Sequence, residues 1–217
     1  MKSLINRIKQ NLNRQFGIFV DPSDAPEEEE TTPMIDQQLS LFISAGHSDK
    51  DPGAVGKGLN GEQITEAGVV LEFRDMLAKE LRELGVEFTK DGEKGQNLPL
   101  RDAINLAKSY DLAIEFHCNA FHLPSATGVE TLSRSHHYSL TNKLNALISS
   151  TLGINNRGSK GESSGQHSRL GFISQADGII VELFFISNPE DVRKYQENKN
   201  VLAKRVAELL KEEVYAD

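Results

Sequence analysis

The chain has 217 residues, 38% of them hydrophobic, which fills one substantial core but leaves a leading segment too polar to join it. Its formal charge of -8 repels a phosphate backbone and excludes nucleic acid as a partner. One cysteine excludes an internal disulfide, and no run reaches the roughly 18 apolar residues of a membrane span.

At the start, Leu4, Ile5, Ile8, Leu12 and Phe16 recur near helical spacing among Lys2, Arg7, Lys9 and Arg14, so residues 1–18 are expected to form a basic amphipathic helix. Such a helix docks on an anionic membrane, a partner protein or the domain itself, or is a plain solvated terminus. The string DPSDAPEEEETTP that follows at 21–33 buries almost nothing and is expected to be an acidic linker. Residues 1–36 thus form an N-terminal arm and residues 37–217 the folded domain. No apolar stretch followed by a small-residue cleavage site opens the chain, so synthesis in a cytoplasm without an export signal is expected.

Beyond Gln37, short apolar runs alternate with helical periods, the pattern of an α/β domain with a largely parallel sheet. Strands are expected at 41–45, 86–89, 112–117, 128–132 and 179–185, each short, apolar and bounded by glycine, aspartate or proline. Val70, Phe73, Leu77, Leu81 and Leu84 mark a helix that opens near Thr65 and stops at Gly85. Further helices are expected at 100–107, at 140–152 before Gly153, and at 201–214.

The first strand runs into Ser44-Ala45-Gly46-His47 and a loop carrying Asp51-Pro52-Gly53-Ala54, which places an imidazole at the carboxyl edge of the sheet. Open α/β sheets bind ligands at that edge, although a lone histidine there also serves as a hydrogen-bonded turn residue. The third strand repeats the design and ends in His117. Strand alternation puts Ala113, Glu115 and His117 on one face, so Glu115 either supports a metal ligand or belongs to a structural ion pair. Cys118 reads as a small buried apolar residue.

The most apolar run, GIIVELFF at 178–185, is interrupted by Glu182. Uncompensated burial of an ionised carboxylate costs several kcal/mol, which points to a metal-bound water or proton transfer, with a buried ion pair as the alternative. Thr65 caps the first helix and sets Glu66 in its first turn, with Glu62 as a nearby competitor. Structure alone would make Glu66 an ordinary helix-dipole carboxylate. Two histidines and one carboxylate also make a catalytic zinc set with an open fourth position.

Six ordered strings then carry a family resemblance: Ser-Ala-Gly-His at 44–47, Asp-Pro-Gly-Ala at 51–54, Thr-Glu-Ala at 65–67, His-Cys-Asn-Ala at 117–120, Gly-Val-Glu-Thr at 128–131 and Val-Glu-Leu-Phe-Phe-Ile-Ser-Asn at 181–188. Over roughly residues 41–214 the chain resembles the zinc-dependent N-acetylmuramoyl-L-alanine amidases with a histidine-glutamate-histidine metal site. That resemblance implies an α/β fold, a mainly parallel sheet of about six strands flanked by helices in a single domain behind the N-terminal arm. It implies one Zn2+ per chain on His47, Glu66 and His117, with Glu182 as the catalytic carboxylate. Its substrate is peptidoglycan, cut between N-acetylmuramic acid and L-alanine.

Many members carry serine where Glu115 stands, so the likeness is to a subgroup similar to certain phage and cyanobacterial members. Glu62 aligns in place of Glu66 if no gap is opened. The stretch RGSKGESSGQHSRL at 157–170 offers Lys160, His167 and Arg169 to stem-peptide carboxylates, or is a plain surface loop. Asn119, Arg101 and Glu130 are weaker candidates for substrate contact. Two other functions stay open: a zinc peptidase cutting within the stem peptide, and a catalytically silent peptidoglycan-binding or virion structural component. For an active enzyme the expected settings are a phage lysin, a virion component or a secreted cargo.

Overall fold

The computed structural model describes residues 38–48, 50–93, 95–164 and 170–216. The expected arm at 1–36 and the loop residues His167 and Arg169 lie outside these residues.

Strand β1 (Leu41–Ala45) is buried along its whole length, as an apolar strand covered on both faces must be. A two-stranded antiparallel hairpin, β2 (Val55–Lys57) and β3 (Gln63–Thr65), leads into helix α1 (Glu66–Glu83). Thr65 caps that helix, its side chain accepting from the Gly68 N–H at 3.2 Å. There follow β4 (Thr89–Lys90), α2 (Leu100–Ala107), β5 (Leu112–Asn119), β6 (Val129–Leu132), α3 (Tyr138–Leu152), β7 (Asn156–Lys160), α4 (Gly171–Ala176), β8 (Ile179–Phe185) and α5 (Pro189–Val214).

Six strands form one sheet in the order β4-β1-β5-β8-β6-β7. Neighbours run parallel except β8 and β6, so β6 and β7 oppose the other four. This is the mixed, mostly parallel α/β sheet expected from the sequence. Among the described residues no helix is long and apolar enough to cross a membrane.

The two faces are covered differently. On one, Ile43, Ile114, Phe116, Val181 and Leu183 pack under α1, α3 and α5 in the larger core. On the other, Phe42, Ala113, Leu132 and Ile180 pack under α2 and α4 through Ile104, Phe172 and Ile173. Glu115, His117 and Glu182 occupy that second face through the register of β5 with β8, beyond its apolar patch. A short helix pair thus leaves a row of polar side chains at the carboxyl end of the sheet.

Several expected boundaries move. The second strand, expected at 86–89, is only Thr89–Lys90. Val86 instead closes the end of α1, its N–H donating to the Leu81 carbonyl at 2.9 Å after Gly85 turns with φ 72°. The last helix opens at Pro189 rather than near Val201, because Asn188 caps it and Asp191, Val192 and Tyr195 already bury one face. Part of the stretch expected as a loop at 157–170 is the edge strand β7.

One buried ion pair ties this scaffold to the loop after β4. Arg74 on α1 is fully buried and donates from Nη1 to Asp91 Oδ1 at 2.7 Å, and from Nη2 to the Gln96 carbonyl at 2.8 Å. Asp91 Oδ1 also accepts from the Ala45 N–H at 3.1 Å, at the end of β1. Burial pushes the Asp91 carboxyl up despite the Arg74 guanidinium beside it, so its charge depends on that partner. Arg74→Leu is expected to lower the unfolding free energy by about 3–5 kcal/mol, since it strands the aspartate. Urea unfolding checks this as a lower midpoint with an unchanged slope.

Candidate metal centre and active site

His47 follows β1 and Gly46 with φ 66°, a left-handed conformation uncommon outside glycine. Asn97 holds it there, donating from Nδ2 to the His47 carbonyl at 2.6 Å. Ser48 and Asp51 close the turn with reciprocal backbone hydrogen bonds of 3.1 and 3.0 Å. Two glycines make the room: a Cβ at Gly46 would overlap the His117 ring, and one at Gly53 would fall 2.7 Å from Glu66 Oε2 and from the His47 ring.

Glu66, the first residue of α1, lies between the two imidazoles. Its Oε1 is 3.0 Å from His47 Nε2 and 2.9 Å from His117 Nδ1, and accepts from the Cys118 N–H at 3.0 Å. Its Oε2 accepts from the Ala54 N–H at 2.9 Å. The outward nitrogen of each ring also meets a carboxylate: His47 Nδ1 stands 3.1 Å from Asp51 Oδ2, and His117 Nε2 stands 3.0 Å from Glu115 Oε1. Ser44 Oγ donates to the other oxygen of Glu115 at 3.2 Å.

The electrostatics follow from that packing. Burial alone would raise the Glu66 carboxyl, but His117 and His47 hold it well below the usual carboxylate range. Burial would likewise lower both imidazoles, yet Glu115 and Glu66 hold His117 well above its ordinary value. Glu66, with help from Asp51, raises His47. Carboxylates outnumber imidazoles here, so the group favours positive charge.

Two histidine nitrogens and a carboxylate oxygen, all within 4.8 Å of one another, fit a divalent metal ion. The ion is a natural replacement for the protons that these rings otherwise hold. A second group among the described residues, His136, His137 and Asp177, meets the same spacing. There, however, the Arg134 guanidinium stands 3.5 Å from Asp177 Oδ1 and already supplies a cation. Among the described residues His47, Glu66 and His117 have no such competitor, and they are the candidate metal centre.

Glu182 of β8 stands in register with His117 on one side and Glu130 on the other. Its Oε2 is enclosed and has no hydrogen-bond partner among the described residues. Burial pushes its carboxyl up to about 7, with Glu66 and Glu130 adding and the two histidines opposing. A carboxylate so poised can take up and return a proton near neutral pH.

The other sequence-derived candidates divide. The structure brings Glu66 to the histidines and leaves Glu62 exposed in the hairpin turn, accepting from the Asn60 N–H. Glu115 sits behind His117 as the strand alternation implies. Asn119 donates to Glu130 at 3.0 Å, within the same row. Arg101 is exposed on the first turn of α2 and makes no hydrogen bond or ion pair with the centre among the described residues. Asp51 is named from sequence only within a loop string and given no role, and Asn97 is not named. Asp51 had a usable signal in its place four residues after His47, whereas Asn97 had none.

Comparison with known proteins adds a family. The model of a family described as N-acetylmuramoyl-L-alanine amidase matches residues 41–212. A solved protein from Neisseria meningitidis, assigned as an N-acetylmuramoyl-L-alanine amidase, is 35% identical with a TM-score of 0.71, over 82% of this chain and 97% of that one. The N-acetylmuramoyl-L-alanine amidase AmiC2 of Nostoc punctiforme shares the fold, with a TM-score of 0.69 and 23% identity over 82% of this chain and 97% of that one. N-acetylmuramoyl-L-alanine amidase LytC of Bacillus subtilis is 26% identical over 73% of this chain, which spans only 32% of that relative.

Proposed function

The chain belongs to the N-acetylmuramoyl-L-alanine amidase family, and on that premise we propose that it hydrolyses the amide between N-acetylmuramic acid and the L-alanine of a peptidoglycan stem peptide. One observation carries the reading beyond family membership: His47 Nε2 and His117 Nδ1 converge on one oxygen of Glu66, in the same row as Oε2 of Glu182, which has no hydrogen-bond partner among the described residues. In this proposal His47, Glu66 and His117 hold one Zn2+. When bound, zinc supplies Lewis acidity toward an amide carbonyl and toward water.

The chain's own residues do the rest. Asp51 accepts a hydrogen bond from Nδ1–H of His47 and so presents Nε2 as a neutral ligand; Glu115 accepts one from Nε2–H of His117 and presents Nδ1. Glu66 stays ionised because donors meet both of its oxygens. Glu182 takes the proton from the attacking water and passes it to the nitrogen of the departing L-alanine, a poor leaving group until protonated. The enclosed walls around Oε2 keep that proton from bulk water. Acting on the wall in this way suits a lysin, a virion component or an exported cargo.

Mass spectrometry of purified peptidoglycan digested by the zinc-loaded protein tests the bond. The expected products are stem peptides that begin in L-alanine, absent after chelation. Cleavage within the stem peptide would instead make the protein a peptidase, and no product at all would favour a silent wall binder.

A further inference from the structure

The row of polar side chains continues past Glu182. Glu130, buried on β6, stands opposite Glu182 in register and accepts three donors. Asn119 Nδ2 donates to its Oε1 at 3.0 Å, while Arg157 Nε at 2.5 Å and Lys160 Nζ at 2.6 Å both donate to its Oε2. Both cations come from β7, the edge strand. Two cations on one carboxylate leave this group with an excess positive charge.

The excess is also unspent in hydrogen bonds. Arg157 gives Glu130 only its Nε, and among the described residues neither Nη1 nor Nη2 has a partner. Its guanidinium is kept in place by the Phe185 ring, 5.0 Å from carbon to centroid. The Arg157 and Lys160 side chains remain 38% and 28% exposed, so neither is closed off from solvent. A guanidinium fork fixed at one end, with an ammonium beside it, is a receptor for a carboxylate.

Its distance from the metal centre selects which carboxylate. Neighbouring strands lie about 4.8 Å apart, so Glu130 is one strand from Glu182 and two strands, about 10 Å, from His117. An extended peptide advances about 3.5 Å per residue. Two residues span about 7 Å and a charge-assisted hydrogen bond adds about 2.8 Å, so with the scissile amide at the metal centre the cations held at Glu130 meet the residue next after L-alanine. The sugar side of that amide offers no carboxylate.

We propose that Arg157 and Lys160, anchored on Glu130, bind the free carboxylate of the stem-peptide residue next after L-alanine. The enzyme thereby distinguishes stem peptides whose second residue bears a free acid from those in which it is amidated. This inference rests on the amidase reading above. Glu130 acts here as a positioning residue, since it touches the two cations and not the substrate.

The test uses the zinc-loaded protein and two N-acetylmuramoyl dipeptides that differ only in a free acid or primary amide on the second residue. Wild type is expected to favour the free acid in kcat/KM by at least about tenfold, mainly through KM, as suits a charge-assisted hydrogen bond. Arg157→Gln and Lys160→Gln are each expected to shrink that ratio, and Arg157→Lys to restore part of it. Titration of both dipeptides onto the protein reads the same preference without turnover, and wild type alone suffices if a variant fails to fold. Equal affinity of wild type for acid and amide overturns the subsite, as does a variant that leaves the ratio unchanged. If neither dipeptide is cleaved, the amidase reading fails, while the binding titration still decides whether the carboxylate is recognised.

Discussion

Glu182→Gln is expected to slow stem-peptide release by about 10²–10⁴-fold near neutral pH, with metal content unchanged. The amide keeps the volume of the carboxylate and loses the ability to carry a proton between water and the leaving nitrogen. Glu182 is not one of the three groups whose ligand atoms converge, so metal analysis of the variant separates a proton-transfer defect from loss of the ion. The same residue gives a pH signature in the metal-free protein. Burial lifts its carboxyl from an ordinary 4.5 to about 7 in the folded state, with Glu66 and Glu130 adding. A folded value above the unfolded one means the native state holds the proton more tightly. That contribution is full below about 4.5 and is lost as pH rises through about 7, a swing of roughly 3 kcal/mol. Chelated wild type should therefore lose stability across that window relative to chelated Glu182→Gln. Full activity in the variant would sink the catalytic role, and parallel melting curves would sink the assignment of a buried, proton-holding carboxylate.

Residues with a strong local signal were legible in the sequence, and residues defined by distant partners were not. β1 and β8 begin and end where expected because LFISA and IIVELFF are apolar runs with sharp ends. The helix at Leu100–Ala107 also falls where expected, bounded by Pro99 and the turn at Lys108. By contrast β7, NRGSK, contains no apolar residue at all, and only its pairing with β6 makes it a strand. The hairpin of β2 and β3 is two short, largely exposed pieces, and α4 is a six-residue helix, too short to show a period.

The site divides in the same way. His47, His117 and Glu182 stand out because each puts a polar group into or just after an apolar strand. Nothing in the residue types marks Arg74, Asn97 or Asp91, which shape the His47 loop through contacts between residues 17 to 50 apart in the chain. Arg157 was visible only as the start of a presumed loop. Its meaning came from Glu130, 27 residues away in sequence, against which it folds.

Metal binding should fall in a graded series that follows the geometry. Glu115→Gln removes the negative charge behind His117 and leaves all three ligand atoms, so zinc affinity is expected to drop by about 10–100-fold. Asp51→Asn does the same behind His47, with a smaller loss because Asp51 is exposed and its interaction is more screened. Glu66→Gln goes further than either. It removes the anionic oxygen on which both imidazoles converge, and its amide N–H₂ faces nitrogens that must be lone-pair donors. Competition with a zinc chelator measures the series, and peptidoglycan hydrolysis should follow zinc occupancy in each variant. Excess zinc should then restore Glu115→Gln and Asp51→Asn but not Glu66→Gln. A Glu66→Gln protein that binds zinc as tightly as wild type would move the metal away from these histidines altogether. Loss of affinity in Glu115→Gln as complete as in Glu66→Gln would instead make Glu115 a ligand, and the likeness to a subgroup with glutamate at this position would then mark a different metal site.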